Sequence, residues 1–581
     1  MPKNYVCDII IYVKNLVLLI IFLISFRKRE IKLSKINIFA LGGLNEDGKN
    51  MYVVKVDEDI FVFDAGLKYP RDRMLGIDYI IPNFDYIKKN YKNIKGIFIT
   101  HGHESNMGAL SDIVVELPDI PIYGSHFTNE VIKLQFVQDN ITKYNLIELK
   151  PHTKLDFGRN SIFPITVSHS IPDCFCYVLN TSDGAIVYTG DFIFDPGMMG
   201  HYHMDIGKLA YVGKQGVLCL LNESLYANHK GYTSPNHRVN HFIREQLNLY
   251  PDRFIMSILP AHIFRIQEIF DEVSSTNRKV VIMGKPLQDL VSMCLREKYL
   301  KINPTKIGDL SNLDDKGVVV LISDGKEKPY ANIERIIHGN DKYIKLNPTD
   351  TIFITEPMYL GVEKRMVTIM DEIAKLNINV ISLSSKKHLL EHPSREDLML
   401  MINLMSPKYY FPIKGEYKEQ YRNAEIATKC GLSRDNIILK LNGDVVSFTN
   451  GVMDECFDHI DVDEILIDGK SSDDIGELVL KDREMLAENG IVIICATLDK
   501  ETKEIISGPQ VLTRGFIYIK DNMDIIKESE TKSAEIIKEV AAMGQQVDYN
   551  LIKQEVRDKL GKYFYHETEC KPIIITVIGE V

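Results

Sequence analysis

Residues 98–110 read FITHGHESNMGAL, and this stretch decides the fold class. A short apolar run ends at Thr100, and His101 and His103 follow at i, i+2 around a glycine. That spacing is expected where two imidazoles must reach one metal ion. Ser105 and Asn106 come next. An Asp-His pair at these two positions would supply further metal ligands. The Ser105 alcohol and the neutral Asn106 amide cannot replace that carboxylate and imidazole at a divalent cation. The sequence therefore predicts a metal site with an altered ligand set.

Two later strands also end near a polar side chain. ITVSHS (165–170) contains His169, and AIVYTGDF (185–192) contains Asp191. A lone histidine is more often a surface or core residue than a ligand, but four potential ligands in this order favour a metal site. Functional residues at strand ends, with strands and helices alternating, predict an α/β layered fold in which two sheets are covered by helices.

Composition limits the classes of protein that the chain can be. At 581 residues it is expected to form three or four domains. With 45% hydrophobic and 26% charged residues it has the composition of a globular protein. The nine cysteines show no disulfide framework, which favours a reducing, cytoplasmic compartment. A net charge of −11 argues against nucleic-acid binding by overall charge, so any RNA or DNA site would be a local basic surface.

The N-terminal residues 1–35 have a different character. The apolar run within 9–26 is short for a membrane span, which needs about 20 apolar residues. Arg27, Lys28 and Arg29 follow it and would keep the remainder in the cytoplasm. Three interpretations stay open: a leader, a membrane anchor, or an over-long gene start before the folded pattern.

After residue 223 the chain alternates between strands and helices again. Ile263, Ile266 and Ile269 form a helical stripe, and VVIMG (280–284) follows as a strand. The segment 394–405 predicts a helix with Ser394 as its N-cap. Residues 450–463 are acidic and weakly patterned, which is typical of a linker. The remainder mixes strands such as IVIICATL and GFIYIK with helices, as a small α+β domain does.

These motifs resemble the metallo-β-lactamase superfamily in its β-CASP branch, and more closely the ribonuclease J family of Gram-positive bacteria. The resemblance runs from about residue 36 to the last residue. It includes LGGLNEDGKNMYVV, FDAGLKYP, MLGIDYIIP, HSIPD, YTGDFIFD, FRIQ, LMLMINLMSPKYYFPIKGEY and SGPQVLTRGFIYI.

The resemblance implies a metallo-β-lactamase αββα sandwich with an inserted β-CASP α/β domain and a small C-terminal α+β domain. The expected segments are a leader or anchor (1–35), the sandwich (36–222 and 383–449), the β-CASP domain (223–382), a linker (450–463) and the C-terminal domain (464–581).

The resemblance also implies roles for individual residues. One zinc or manganese ion would be held by the ligand set His101, His103, His169 and Asp191, while Asp64 would support the loop geometry. A second ion would need ligands at positions that hold Ser105, Asn106 and Lys414. We expect Lys414 to pair with Asp191 instead. Cys174 and Cys176 are weighed as replacement ligands, but an i, i+2 pair on a strand is more often part of a core face.

The substrate end departs from the family too. The family's acid falls on Glu223, and its phosphate-gripping loop falls on 388–394, where His388 and His392 are kept. We expect His388, Glu223 and His392 to be catalytic, and His388, His392 and Ser394 to bind substrate. Leu390 and Glu391 replace a small Ser-Gly pair, and a carboxylate beside a phosphate is repulsive. The turn 324–329, DGKEKP, has also changed.

Three functional hypotheses remain. The preferred one is a ribonuclease J paralogue of low or no activity that binds RNA and joins a homo-oligomer, or a hetero-oligomer with an active ribonuclease J, within an RNA-decay complex. The alternative is an active metal-dependent 5′–3′ exoribonuclease and endoribonuclease. The third is a different mononuclear hydrolase on the same scaffold. The expected location is the cytoplasm, with membrane contact through residues 9–26 left open.

Overall fold

The computed structural model describes residues 34–70, 74–259, 262–323, 330–357, 362–469, 477–517, 522–543 and 549–581. Nearly all of the N-terminal segment 1–35 and the whole of the altered turn 324–329 lie outside the described residues. The chain divides into two compact units. One holds the described residues up to Tyr69 together with Tyr79–Ile465, and the other holds Pro70–Asp78 and Leu466–Val581.

An eight-stranded sheet forms one layer of the first unit, in the order β20-β19-β1-β2-β3-β5-β6-β7. Its strands are β1 (Lys35–Gly42), β2 (Met51–Val56), β3 (Asp59–Phe63), β5 (Ile94–Phe98), β6 (Pro121–Gly124), β7 (Asn145–Glu148), β19 (Val446–Thr449) and β20 (Val452–Met453). The first three strands pair antiparallel as hairpins, whereas β3, β5, β6 and β7 pair in parallel. The parallel strands bring the loop after β5 to one end of the sheet.

A six-stranded sheet forms the second layer, in the order β18-β12-β11-β10-β9-β8. Its strands are β8 (Leu155–Phe157), β9 (Asn160–Val167), β10 (Cys174–Thr181), β11 (Gly184–Tyr188), β12 (Val217–Glu223) and β18 (Tyr409–Ile413). The inner faces of the two sheets share one core, in which the Phe63 ring lies 6.1 Å from the Tyr177 ring and 5.4 Å from the Tyr188 ring. Burial of this apolar surface between the sheets is the main stabilisation of the sandwich.

Helices cover the outer faces of both sheets, which confirms the predicted αββα architecture. They are Asp85–Lys89, Glu104–Met107, Leu110–Glu116, His126–Gln138, Ile206–Gln215, Arg395–Met405 and Tyr417–Lys429. Ser394 caps its helix as predicted, because its side chain accepts from the N3 backbone while Asp397 accepts from the Ser394 backbone.

A five-stranded parallel sheet is inserted between β12 and β18, in the order β14-β15-β13-β16-β17. Its strands are β13 (Phe254–Ile258), β14 (Val280–Ile282), β15 (Val319–Ser323), β16 (Thr351–Pro357) and β17 (Asn379–Leu383). Its helices are Asn240–Leu249, Ile263–Ser274, Lys285–Arg296, Ala331–Ile337 and Glu363–Lys375. We call this part the inserted layer. Its buried strands read as continuous apolar runs, as expected for a parallel sheet with helices on both faces.

The second unit contains a three-stranded sheet in the order β23-β22-β24. Its strands are β22 (Ile491–Leu498), β23 (Ile505–Arg514) and β24 (Ile573–Glu580), and its helices are Glu477–Asn489, Met523–Ala541 and Tyr549–Thr568. The latter two helices pack on one face of the sheet. Of the predicted strand GFIYIK (515–520), the structure describes residues 515–517. These three residues form a bend after β23 rather than a strand.

Short strands β4 (Tyr79–Pro82) and β21 (Glu464–Ile467) complete the strand order. In the stretch expected as a linker, 450–463, β20 pairs with β19, and Asp444 and His459 form a β-bridge. Among the described residues, none of the helices has the combined length and apolar character that crossing a bilayer requires. The apolar run within 9–26 lies outside the described residues.

Gly66 tightly constrains the loop that carries the histidines, and this gives a stability prediction. A Cβ at Gly66 would lie 1.7 Å from the Ser105 carbonyl oxygen, so Gly66→Ala must displace backbone next to His103. We expect it to lower the free energy of unfolding by about 2–3 kcal/mol, measured by urea denaturation. Gly207→Ala is the control, because the nearest atom there is 3.5 Å away and lies on an Asp205 side chain. An equal loss in both variants would contradict the prediction.

Candidate metal centre

The loop after β5 places the first two histidines. Thr100 and His101 are fully buried at the end of the strand, and His103 is the N-cap residue of the short helix Glu104–Met107. His169 follows β9 and Asp191 follows β11, so strands of both sheets deliver their polar residues to the same end of the sandwich. The site is therefore built by strand ends, as their positions in the sequence predict.

The four predicted ligands converge on one point. His101 Nε2 lies 3.1 Å from His103 Nδ1, and His169 Nε2 lies 3.2 Å from that same His103 atom. Asp191 Oδ2 lies 3.4 Å from His101 Nε2 and 3.8 Å from His169 Nε2. Ligands about 2.0–2.1 Å from a tetrahedral ion lie about 3.3–3.4 Å from one another. The spacing of these four atoms therefore fits one ion.

Hydrogen bonds at the far side of the rings orient two of the imidazoles. His169 Nδ1 lies 2.7 Å from the Glu391 carbonyl oxygen, which requires an Nδ1–H donor and leaves the Nε2 lone pair facing the cluster. Thr100 Oγ1 donates its proton to Asp64 and lies 2.9 Å from His101 Nδ1, so it can accept an Nδ1–H of His101. The Nε2 lone pair of His101 then also faces the cluster. Burial lowers the pKa of His169, so its ring is neutral, as a ligand must be.

Asp191 supplies the negative charge of the cluster. Among the described residues, its Oδ1 is buried and has no hydrogen-bond partner, which is the condition of an atom placed for a ligand. Burial alone would raise the pKa of Asp191, but the Lys414 ammonium and the neighbouring imidazoles hold it well below the usual range. The ring nitrogens of three imidazoles and this carboxylate form a donor set that suits zinc or manganese.

The positions expected for a second ion are occupied by other interactions. Asn106 is fully buried and donates from Nδ2 to Asp64 Oδ2 at 2.7 Å, while its Oδ1 accepts from Ser105 Oγ at 2.7 Å. The Lys414 ammonium contacts Asp191 Oδ2 directly. Burial opposes the charge of Lys414, but Asp191 raises the pKa of the lysine above its ordinary value. A cation of the chain itself therefore lies beside the first site.

Asp64 ties this end of the sandwich together. It is fully buried and accepts hydrogen bonds from the Thr100 backbone N–H at 2.7 Å, the Asn106 side chain and the Tyr188 hydroxyl at 2.6 Å. These bonds hold the loop that carries His101. The geometry is consistent with the supporting role expected for Asp64.

Glu223 and His392 form a pair at the edge of the cluster. His392 Nδ1 lies 2.9 Å from Glu223 Oε2 and 3.9 Å from Asp191 Oδ2. Glu223 Oε1 accepts from the Phe192 backbone N–H at 2.9 Å, which fixes the carboxylate. Burial disfavours the charged imidazole, but Glu223 outweighs it and raises the pKa of His392. His392 is thus a protonatable group next to the candidate metal ligands.

His388 and Ser394 lie apart from this cluster. His388 Nδ1 accepts from the Ser384 backbone N–H at 3.1 Å, and its ring lies 5.5 Å from the Phe242 ring. Ser394 is fully buried and its hydroxyl lies 2.8 Å from Thr233 Oγ1, within the helix cap. The structure therefore does not bring either side chain to the four candidate ligands, because loop bonding and helix capping hold them elsewhere.

Glu391 differs from its expected orientation. It is only 1% exposed, and its Oε1 lies 3.2 Å from His262 Nε2. The expectation that this carboxylate faces a bound phosphate was therefore wrong, because a buried carboxylate is stabilised by pairing with a cation. The sequence carries no signal of a role for His262, since a single histidine beside an apolar helical stripe does not reveal a distant partner.

The two cysteines considered as replacement ligands are buried in β10. Cys174 Sγ lies 3.3 Å from the Ile171 carbonyl oxygen, and burial raises the pKa of both thiols. Among the described residues, neither belongs to a cluster of potential ligands. They are part of the core rather than of the site.

Comparison with known proteins gives three family models that match successive parts of the chain. The metallo-beta-lactamase superfamily model matches residues 44–200, the ribonuclease J beta-CASP domain matches 251–373, and the ribonuclease J C-terminal domain matches 478–581.

Relatives named ribonuclease J 2, from Staphylococcus aureus and Staphylococcus epidermidis, are 34% identical over 550 residues, which is 94% of this chain and 98% of each relative. A crystal structure of a protein of unknown function from Enterococcus faecalis is similar with a TM-score of 0.50 at 16% identity, covering 71% of this chain and all of that one, which supports the fold alone.

The Lys414–Asp191 ion pair gives the second prediction. In metal-free protein, Lys414→Met removes the ammonium that contacts the buried Asp191 carboxylate, and we expect a loss of about 3–5 kcal/mol in the free energy of unfolding. The double variant Lys414→Met with Asp191→Asn removes both charges and should recover most of the loss. Urea denaturation with a chelator present measures both. If Lys414→Met is as stable as the wild type, the ammonium does not compensate Asp191.

Proposed function

The chain belongs to the ribonuclease J family, and we propose that it acts in RNA processing and mRNA decay as an RNA-binding subunit with weak or no nuclease activity that partners an active ribonuclease J. The family consists of nucleases that act on RNA, within a metal-dependent superfamily. One observation carries the proposal of weak activity: the Lys414 ammonium contacts Asp191 where the resemblance expects a second metal ion.

We propose that one zinc or manganese ion binds His101, His103, His169 and Asp191. An ion held there would supply Lewis-acid stabilisation of charge on a phosphate group. Three features oppose a second ion. Ser105 and Asn106 are engaged in hydrogen bonds, and Lys414 adds a positive charge at the shared carboxylate. Repulsion between like charges acts together with the missing ligands.

The other charged residues can still perform part of the chemistry. His392 Nδ1 faces Glu223, so Nε2 is the ring atom for proton transfer with an oxygen of the phosphodiester. Glu223 keeps the imidazole oriented, as a carboxylate does for a catalytic histidine. The contact between His392 and Glu223 supports the catalytic roles that we propose for both residues. His388 is held away from the cluster by Ser384 and Phe242, and a catalytic role for it would require movement of its loop.

The Glu223–His392 pair also favours a second candidate function, that of an active metal-dependent 5′–3′ exoribonuclease and endoribonuclease. A complete one-ion ligand set and an oriented His392 are what residual hydrolysis of RNA would need. The two functions differ in the rate expected. Loss of one metal of a two-metal clamp removes several kcal/mol of transition-state stabilisation, roughly a thousandfold or more in rate.

Self-association or binding to an active ribonuclease J is supported by an apolar surface on the second unit. On the sheet face opposite the helices Met523–Ala541 and Tyr549–Thr568, Ile493 pairs with Leu512 on one side and Ile575 on the other. Leu512, Ile575 and Val577 are 49%, 44% and 49% exposed. Exposed apolar sheet surface is typical of a face that binds another protein. We propose that the protein works in the cytoplasm, in a homo-oligomer, a hetero-oligomer or a larger RNA-decay complex.

The partnership is tested by pull-down of the tagged protein from its native cell, followed by mass spectrometry. We expect an active ribonuclease J or another RNA-decay component to be recovered. Ile575→Lys with Val577→Lys should abolish recovery, because it places charge on the apolar face. Val115→Lys is the matched control, since Val115 is 71% exposed on a helix of the sandwich. Recovery of no RNA-decay component with the wild type would contradict the subunit hypothesis.

Metal content and activity are tested on protein prepared without chelator. Elemental analysis should find at most one equivalent of zinc or manganese per chain, and two equivalents would contradict the proposal. The triple variant Ser105→Asp, Asn106→His, Lys414→His should gain metal and cleave unstructured RNA faster. Asn106→His alone is the control, because it replaces the amide that donates to Asp64 without supplying the other ligands. Wild-type cleavage as fast as that of the triple variant would favour the active-nuclease alternative.

A further inference from the structure

A buried series of charged side chains runs from the inserted layer to the candidate metal centre. Glu356 Oε1 at the end of β16 lies 2.7 Å from His262 Nδ1, and His262 Nε2 lies 3.2 Å from Glu391 Oε1. The main-chain carbonyl of Glu391 then accepts the Nδ1–H of His169 at 2.7 Å. Four residues that are far apart in sequence thus form one continuous hydrogen-bonded path.

The three charged side chains of this path are almost completely buried. His262, Glu356 and Glu391 are 3%, 4% and 1% exposed. Burial disfavours a charged imidazole, but the two carboxylates outweigh it and raise the pKa of His262 to about 10. His262 is therefore a cation that bridges two carboxylates, and Arg265, fully buried, lies 4.0 Å from Glu356. A buried ion triad of this kind is geometrically specific, because each charge is stable only against its partners.

Glu391 has two distinct contacts that point in different directions. Its side chain contacts His262 of the inserted layer, whereas its main-chain carbonyl orients the His169 ring of the sandwich. Loss of the side-chain contact would free the loop that supplies the carbonyl. A hydrogen bond to the far nitrogen of a ligating histidine fixes its tautomer and orientation, and removing such an outer partner typically weakens metal binding about 10–100-fold.

We propose that the Glu356–His262–Glu391 triad is a positioning device through which the inserted layer fixes the tautomer and orientation of His169, and so sets the metal affinity of the centre. This inference rests on the proposed one-ion site. Glu391 is a positioning residue, since its side chain contacts His262 and it reaches the candidate ligand His169 through its main-chain carbonyl. The inserted layer thereby contributes to the metal centre without supplying a ligand.

Glu391→Ala is the decisive variant. It keeps the main-chain carbonyl and leaves His262 paired with Glu356, so no buried charge loses its last partner and the protein should fold. We expect zinc affinity, measured by competition with a chelator, to fall about 10–100-fold. Glu391→Gln retains an acceptor for His262 Nε2–H and should restore most of the affinity. A merely structural role would not give this order of the two variants.

A second measurement does not need the metal. In metal-free protein with ¹⁵N-labelled histidine, NMR should show His169 as the Nδ1–H tautomer in the wild type and a mixture of tautomers in Glu391→Ala. If the wild type binds no zinc, the proposed one-ion site fails, yet this tautomer comparison still decides whether the triad positions His169.

Asp350→Asn is the matched control, because it breaks a buried ion pair of the same layer, Arg253–Asp350, that does not contact the Glu391 loop. Its zinc affinity and the His169 tautomer should equal those of the wild type. The inference is overturned if Glu391→Ala matches the wild type in both measurements, or if Asp350→Asn lowers the affinity as much as Glu391→Ala does.

Discussion

The contact between the Lys414 ammonium and the Asp191 carboxylate determines the character of the whole site. Asp191 Oδ2 also lies 3.4 Å from His101 Nε2 and 3.8 Å from His169 Nε2. One carboxylate is therefore shared between the candidate metal site and the Lys414 ammonium. Inside a protein such a pair is stable only when each charge meets the other closely. The lysine thus balances part of the negative charge of Asp191.

The altered positions of the site have become part of the structure. The Asn106 side chain donates to Asp64, as do those of Thr100 and Tyr188, and these bonds hold the loop that carries His101. A histidine at position 106 would have to make that bond with a ring N–H in place of the amide. The Asn106 side chain and the loop that carries His101 are therefore coupled, because both depend on the same buried Asp64 carboxylate.

The inserted layer and the sandwich meet through charge as well as through apolar packing. His262 of the inserted layer is held by carboxylates on both of its ring nitrogens, one of which belongs to the loop that orients His169. Buried ion pairs contribute little to stability beyond what apolar residues would give, but they define one geometry. The pairing with His262 explains why the Glu391 carboxylate is tolerated in the loop beside the candidate metal centre. From its charge alone, that carboxylate was expected to repel a phosphate.

The sequence by itself determined the layered α/β architecture, the strands that carry His101, His103, His169 and Asp191, and the capped helix after Ser394. These features depend on local periodicity and on residues close together in the chain. Only the tertiary structure decided that Glu391 turns into the inserted layer, that His388 lies away from the ligands, and that Asn106 bonds to Asp64. The physical reason is that a buried polar side chain takes the direction of its partner, and that partner can be remote: Lys414 and Asp191 are 223 positions apart.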